Sequence, residues 1–117
     1  MSTTISESAP LLTFINVFRV EPENQERVIG LLTTATDQVM RALPGFISAN
    51  IHRSLDGRHV VNYVQWKSQA HFEAIFTNEA ATTHMKALRP YLVSSERNLY
   101  QVVSTHPAQM GEASCPA

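Results

Sequence analysis

The sequence predicts an α+β domain of the ferredoxin-like class, with the element order βαββαβ and an antiparallel sheet. Three observations support this prediction. Residues 11–20 alternate as a strand does, residues 28–43 repeat apolar side chains at helical spacing, and Asp56-Gly57 separates two further extended segments. A second helical region and a last extended segment complete the order. The length of 117 residues suits a single domain.

The first strand and the first helix follow from two different periods. One face of the strand at 11–20 combines apolar side chains with one amide: Phe14, Asn16, Phe18 and Val20. Pro22 then stands where a helix begins. Apolar residues recur at helical spacing in the segment that follows: Val28, Leu31, Leu32, Ala35, Val39, Ala42 and Leu43. Pro44-Gly45 is predicted to end this helix.

Two extended segments form a central hairpin. They are predicted to span residues 46–53 and 59–66, on either side of the turn at Asp56-Gly57. On the second segment, one face carries two polar or polar-tipped side chains among valines: Val60, Asn62, Val64 and Trp66. The opposite face carries Val61, Tyr63 and Gln65.

The last third of the chain is predicted to hold two helical pieces and a strand. Ser68 can cap a short helix that carries Phe72, Ile75 and Phe76. A second piece follows, with apolar residues at helical spacing, and ends near Pro90. The final strand is predicted at residues 99–105.

Composition narrows the function classes. Apolar residues make up 44% of the chain and charged residues 16%, which is enough for a packed core. The net charge of −1 offers no basic excess for a phosphate backbone and argues against nucleic-acid binding. One cysteine excludes an internal disulfide and a cysteine zinc site. Since the N-terminus does not resemble a signal peptide and no apolar run is long enough for a bilayer, we expect a small cytoplasmic protein without membrane association.

The ends of the chain differ from its middle. Residues 1–10 are rich in Ser and Thr, and residues 107–117 contain Pro and Gly, without a regular apolar period. We interpret both stretches as flexible tails. The folded domain is then predicted to span residues 11–106.

The predicted topology leaves one face of the sheet bare. Right-handed crossovers place both helical regions on the same face. The other face is expected to carry apolar side chains over an area too large for solvent: Ile47, Ala49, Ile51, Val61 and Tyr63. We therefore expect two subunits to pack these faces together as a dimeric α+β barrel.

Polar side chains facing the helices indicate a site. Asn62 and Trp66 lie on one face of one strand, and Asn16 and His52 join them if their faces also point to the helices. Each of these residues alone is compatible with an ordinary core or surface position. Together they predict a flat apolar cavity with a few hydrogen-bonding groups, which suits a polycyclic aromatic ligand.

Further side chains are candidates for closing this cavity. His84, Lys86 and Arg89 lie on the later helical region, and each is also compatible with a plain surface position. The histidines do not recur at i, i+4 spacing and have no obvious acidic partner, so we predict no metal site.

Several motifs together resemble a known family. They are Leu43-Pro44-Gly45-Phe46, then His52, the turn at Asp56-Gly57, and Asn62-Tyr63-Val64-Gln65-Trp66. This combination is similar to the antibiotic biosynthesis monooxygenase family over residues 11–106. The pattern most resembles the small quinone-forming oxygenases that tailor aromatic polyketides.

The resemblance implies a function and a set of site residues. It implies dimeric barrels that oxidise anthrone- or naphthol-type substrates to quinones with O₂, without flavin, haem or metal. It also implies that Asn62, Trp66 and His52 are catalytic. Two positions depart from the pattern: some members have a tyrosine where this chain has Phe72, and some have an arginine where it has Lys86. We expect Phe72 and Lys86, with Asn16 and His84, to contact substrate.

Two other functions stay open at the level of sequence. A non-catalytic dimeric protein that binds small aromatic molecules would need the same cavity. Haem degradation, which related folds perform, uses a helical tryptophan and a histidine ligand. The matching positions here are Ile75 and Met85, with His84 one residue from the ligand position, which turns a helical side chain by about 100°.

Overall fold

The computed structural model describes residues 2–7 and 10–109 of the chain. It contains four strands and three α-helices within these residues, in the order β1 Leu12–Arg19, α1 Gln25–Gln38, β2 Phe46–Arg53, β3 His59–Trp66, α2 Gln69–Glu73, α3 Glu79–Leu88 and β4 Ser94–Tyr100. Short 3₁₀ turns adjoin the helices at Pro22–Asn24, Met40–Ala42, Ala74–Thr77 and Arg89–Tyr91. Within the described residues, no helix is long and apolar enough to cross a membrane.

The four strands form one antiparallel sheet in the order β2-β3-β1-β4. This order and the helical layer confirm the predicted ferredoxin-like fold. In this strand order β1 and β3 are the two central strands and lie side by side. Their helix-facing side chains therefore meet beneath the helices.

Local sequence explains where α1 begins and ends. Pro22 opens the first turn, and the buried stripe of the helix carries Val28, Leu32 and Ala35. The α-helix ends at Gln38, earlier than the apolar period predicts, and a 3₁₀ turn takes the chain onward. Gly45 then adopts a φ of +80° and starts β2, with its carbonyl accepting from the backbone N–H of Lys67 at 2.8 Å.

The second helical region consists of two pieces, as predicted, and both are capped at their N-termini. The Ser68 hydroxyl accepts from the backbone N–H of His71 at the start of α2. The Asn78 side chain accepts from the backbone N–H of Ala81 at 2.9 Å at the start of α3. A cap of this kind satisfies an N–H group that the helix itself leaves unbonded.

The core consists of two buried clusters on the helix side of the sheet. One contains Phe14, Val64, Trp66, Phe72, Ile75 and Ala81. The other contains Phe18, Val20, Val28, Leu32, Val60 and Leu88. Asn16 lies between Phe14 and Phe18 in β1, and it pairs with Asn62 in β3. These two asparagines lie at the centres of their strands and separate the two clusters.

The predicted position of the last strand is wrong. β4 spans Ser94–Tyr100 instead of 99–105, and residues 101–109 form no regular secondary structure. All seven residues of β4 are exposed, because β4 is an edge strand that pairs only with β1. An exposed edge strand needs no apolar alternation, so its sequence lacks the signal on which the prediction depended.

The predicted faces of β2 are also corrected. Phe46 pairs with Trp66 and Ala49 with Val64, so a register shift lies between Phe46 and Ser48. This bulge inserts one extra residue and moves every later side chain of β2 to the opposite face. Ala49 and Ile51 therefore face the helices and not the bare side.

The face of the sheet away from the helices, called here the outer face, is only partly apolar. Its central apolar side chains come from β1 and β3: Ile15, Val17, Val61 and Tyr63. Near β2 the N-terminal segment covers it, since the Thr3 hydroxyl donates to the Ser48 hydroxyl at 2.6 Å and Gln65 Nε2 donates to the Thr4 carbonyl at 2.8 Å. The predicted C-terminal tail lies outside the described residues from residue 110 onward.

Candidate active site

A cavity of about 410 Å³ lies between the sheet and the helical layer. This volume is typical of sites for small organic ligands, about 300–1,000 Å³. Its wall is mostly apolar and includes Phe14, Phe18, Leu32, Met40, Phe46, Val64, Ile75, Met85 and Leu88. Because these side chains come from both core clusters, the cavity is a gap in the core itself.

Three polar side chains form a row across the cavity floor. Asn62 of β3 lies opposite Asn16 of β1, and Asn16 lies opposite Arg97 of β4. Directly opposite residues of antiparallel strands point to the same face, with Cβ atoms about 5 Å apart. All three line the cavity. The register therefore brings two amides and one guanidinium to a single side of the cavity.

Three buried polar atoms around the cavity have no hydrogen-bond partner among the described residues. They are Oδ1 of Asn16, Oδ1 of Asn62 and Nε1 of Trp66. Buried polar atoms are nearly always paired, and one left unpaired costs about 1–3 kcal/mol. Three such atoms on one cavity are accounted for if a bound molecule supplies their partners.

Aromatic contacts hold the Trp66 ring in place. The ring is 2% exposed, and its centroid lies 5.5 Å from that of Phe46 in an edge-on arrangement. Phe72 meets it from another side at 6.5 Å, also edge-on. A ring packed in this way keeps one orientation, so its N–H points in a constant direction.

Phe72 lies behind the cavity wall and does not line the cavity. Its ring contacts Phe14 at 4.7 Å and Phe76 at 5.4 Å, besides Trp66. The expected contact of Phe72 with substrate is therefore corrected to a contact with the aromatic side chains that form the wall.

Two arginines line the cavity. Arg89 follows α3 and is one of the cations predicted to close the cavity. Arg97 is absent from the predicted site, because the predicted last strand begins five residues after the true one. The guanidinium of Arg97 lies 5.2 Å from the centre of the Phe76 ring, a cation–π contact. No local signal marks Arg97, because the residues that share its face of β4, Ser95 and Leu99, do not form an apolar alternation with it.

Three other predicted site residues lie elsewhere. His52 pairs with Val61 and is exposed on the outer face, because the bulge in β2 reverses its direction. His84 and Lys86 lie on α3 but are not among the side chains that line the cavity. The structure thus brings together Asn16, Asn62, Trp66 and Arg89 from the predicted set.

Within the part of the chain that the structure describes, no group of three or more His, Cys, Asp or Glu side chains is arranged to hold a metal ion. Among the side chains lining the cavity, all of them described residues, only the two arginines are ionisable. The cavity therefore combines apolar walls, amide and indole groups, and positive charge.

Comparison with known proteins identifies relatives. Residues 11–87 match the profile of the family named Antibiotic biosynthesis monooxygenase. The chain is 43% identical over 86 residues to the tetracenomycin-F1 monooxygenase of Streptomyces glaucescens, a match that covers 74% of this chain and 77% of the other.

Solved structures with this fold include two oxygenases. SnoaB of Streptomyces nogalater, described as a cofactor-independent oxygenase, superimposes with a TM-score of 0.68 at 26% identity and covers 86% of this chain and 100% of its own. The monooxygenase ActVA-Orf6 of Streptomyces coelicolor, solved with the ligand nanaomycin D, has a TM-score of 0.71 at 28% identity and covers 81% and 89%.

Proposed function

The chain belongs to the antibiotic biosynthesis monooxygenase family and is thus an oxidoreductase. We propose that it oxidises a polycyclic aromatic polyketide intermediate of anthrone or naphthol type to a quinone with O₂. One observation carries the proposal: a mostly apolar cavity of about 410 Å³, at which one buried polar atom each of Asn16, Asn62 and Trp66 has no hydrogen-bond partner among the described residues. A flat ring system with oxygen substituents fills the apolar space and supplies those partners.

The reaction needs no cofactor, as in SnoaB, because the substrate itself supplies the electrons. Ground-state O₂ is a triplet and reacts slowly with closed-shell molecules, but an aromatic carbanion or phenolate can transfer one electron to it. For an anthrone, the CH₂ group loses a proton and the resulting anion reduces O₂ to superoxide. The radical pair couples to a C–O bond, and a proton returns to give a hydroperoxide. Loss of water then leaves the quinone carbonyl, so the balance is R₂CH₂ + O₂ → R₂C=O + H₂O.

The protein has to orient the substrate and stabilise its anion. The amide of Asn62 is proposed to donate to the substrate oxyanion or to the peroxide, through its NH₂ group, since rotation of the amide exchanges its oxygen and nitrogen. Trp66 is proposed to donate its N–H to a second substrate oxygen. Asn16, opposite Asn62, is proposed to bind and align the ring system. Fixed donors of this kind stabilise charge that develops in the transition state.

We further propose that the protein is a homodimer. The outer face exposes or half-exposes Ile15, Val17, Val61 and Tyr63 on adjacent strands. A second copy packed on this face would bury them and complete the α+β barrel. Sedimentation at micromolar concentration tests this proposal, and a monomer would contradict it.

The deciding experiment measures O₂ uptake and quinone absorbance with anthrone as the substrate. The protein is treated with a metal chelator first, and the spontaneous oxidation is subtracted. Faster quinone formation with one O₂ consumed per quinone supports the proposal. Tight anthrone binding without O₂ uptake would instead identify a non-catalytic binding protein, and a Soret shift on adding haemin would favour haem chemistry.

A further inference from the structure

We propose that Arg97 is a catalytic residue whose positive charge stabilises the ionised form of the aromatic substrate. This inference rests on the proposed function and deepens it, since it names the group that promotes loss of the substrate proton at a site without a general base. It assigns a role to a residue that the sequence motifs do not contain. Four observations lead to it: register, charge balance, the contact that holds the side chain, and the chemistry of the cavity lining.

The register places Arg97 beside the unpaired amides. It lies directly opposite Asn16 in the β1–β4 pair, and Asn16 lies opposite Asn62 in the β1–β3 pair. The row therefore has its two amides toward the centre of the sheet and its guanidinium at the edge. A planar substrate lying along this row presents its oxygens to all three side chains.

The charge of the cavity is positive and is not balanced from within. Arg89 and Arg97 are the ionisable side chains of its lining, which consists of described residues throughout. Among the described residues neither arginine forms an ion pair. An anionic molecule is thus the natural counter-ion of this site.

A contact with Phe76 holds the Arg97 guanidinium at the cavity. The cation lies 5.2 Å from the ring centre, and Phe76 itself lines the cavity and is 39% exposed. A cation–π contact orients the guanidinium without neutralising its charge, unlike an ion pair. Its N–H groups therefore keep their capacity to donate to a substrate oxygen.

The lining includes no residue that can act as an ordinary general base. The described side chains around the cavity include no Asp, Glu, His, Lys, Tyr or Cys. The substrate proton must then leave to water, and the site can assist only by lowering the substrate pKa. An opposite charge within about 4–6 Å lowers an acid's pKa by about 1–3 units, and the exposed position of β4 favours the lower end.

The role of Arg97 is consistent with the electron balance of the reaction. Loss of the proton to water leaves one negative charge on the aromatic ring, and transfer of one electron moves that charge to O₂. The C–O bond then forms and the peroxide oxygen takes a proton from water before water leaves. From the loss of the substrate proton until the peroxide is protonated, one negative charge lies near the row, so one fixed cation stabilises the carbanion, the superoxide and the peroxide anion.

The test measures the acidity of a bound ligand as well as turnover. The probe is 2-hydroxyanthraquinone, whose phenolate has its own absorbance band and which lacks an oxidisable CH₂ group. Its pKa is measured bound to wild type, Arg97→Met, Arg97→Lys and, as a control, Arg58→Met in the exposed turn. We expect wild type and Arg58→Met to lower the probe's pKa by about one unit or more. Arg97→Met should abolish that shift, and Arg97→Lys should retain part of it because it keeps the charge but not the fork of donors.

Turnover of anthrone is followed in the same variants as a function of pH. For Arg97→Met we expect kcat/KM at pH 7 to fall about tenfold and its pH profile to move up by about one unit. A pKa shift that persists in Arg97→Met, a wild-type pH profile in that variant, or failure of the probe to bind wild type would overturn the inference. A lowered probe pKa that depends on Arg97, without anthrone turnover by wild type, would leave Arg97 as an anion-binding residue and contradict the proposed function alone.

Discussion

Asn62 of β3 and Asn16 of β1 lie directly opposite each other, and each has a buried amide oxygen with no partner among the described residues. Opposed asparagines on a helix-facing surface would normally bond to each other or to the backbone. Here they border a cavity instead. Their arrangement reduces the stability of the fold and leaves hydrogen-bonding capacity for a ligand.

The first prediction is that Asn62→Ala lowers activity without lowering stability. Loss of one donor to the oxyanion should reduce kcat/KM for anthrone by about 10²-fold. Thermal stability should stay the same or rise, because the change removes an unpaired buried polar atom. Quinone absorbance and a thermal melt measure the two effects.

The matched control for Asn62→Ala is Asn98→Ala. Asn98 lies on β4 opposite Ile15, on the outer face, and is exposed. This control should keep wild-type turnover. Full turnover by Asn62→Ala would refute the assignment of Asn62 to the site.

Three glycines provide a graded test of the backbone. A Cβ at Gly45 would overlap the His71 ring, and its φ is +80°, so Gly45→Ala should cost roughly 2–4 kcal/mol. Gly57 has a φ of +79° but meets only Pro22 Cβ at 3.7 Å, so Gly57→Ala should cost about 1–2 kcal/mol. Gly30→Ala, in a helix with open space, should gain about 0.5–1 kcal/mol. Urea unfolding of the three variants checks this order, and equal effects at positions 45 and 57 would show that the His71 overlap is relieved.

Val61→Glu should separate the proposed dimer. Val61 lies between Val17 and His52 at the centre of the outer face. Burying a carboxylate against its symmetry mate costs far more free energy than the lost apolar contact. We expect a monomer in sedimentation, with an unchanged far-ultraviolet circular dichroism spectrum. Thr34→Glu, on the exposed side of α1, is the control and should stay dimeric.

The element order could be predicted because the signals for it are local. The hairpin depends on Asp56-Gly57 and the start of α2 depends on the cap at Ser68, and both signals are readable without tertiary contacts. The position of Asn62 and Trp66 on the helix-facing side follows from simple alternation along β3. These features could be predicted from local turn and cap residues and from the alternation of side chains along a strand.

The rest of the site depended on pairing that the sequence does not encode locally. A single bulge after Phe46 reverses β2 and takes His52 out of the site. β4 carries no apolar alternation, so Arg97 could not be assigned to the cavity until its pairing with Asn16 was known. Bulges and polar edge strands depend on neighbouring strands, and a one-residue error in either changes which face a side chain occupies.

Asp56 should make stability depend on pH in the acid range. The Ser54 hydroxyl and the backbone N–H of Arg58 donate to its carboxylate at 2.6 and 2.9 Å, and these bonds lower the pKa of Asp56 from its ordinary value. The stabilisation is therefore complete at neutral pH and is lost as the pH falls through the folded-state pKa. Asp56→Asn, which preserves the turn, should be less stable than wild type at pH 7 and equal to it in strong acid. Unfolding midpoints between pH 2 and 7 measure the difference, and a constant gap would contradict the argument.

Trp66 should report ligand binding by its own fluorescence. It is the single tryptophan of the chain, is 2% exposed and lines the cavity. A quinone bound there lies in van der Waals reach of the indole and accepts energy or an electron from its excited state, so 2-hydroxyanthraquinone should quench the emission in a saturable way. N-acetyltryptophanamide titrated in parallel corrects for absorption by the ligand.

Trp66→Phe removes the fluorescence signal and also the unpaired N–H, so its kcat/KM should fall by about 10²-fold. The Phe46 and Phe72 rings still pack against the new ring. Quenching no greater than that of the free indole would place the ligand away from Trp66 and refute the cavity as the binding site.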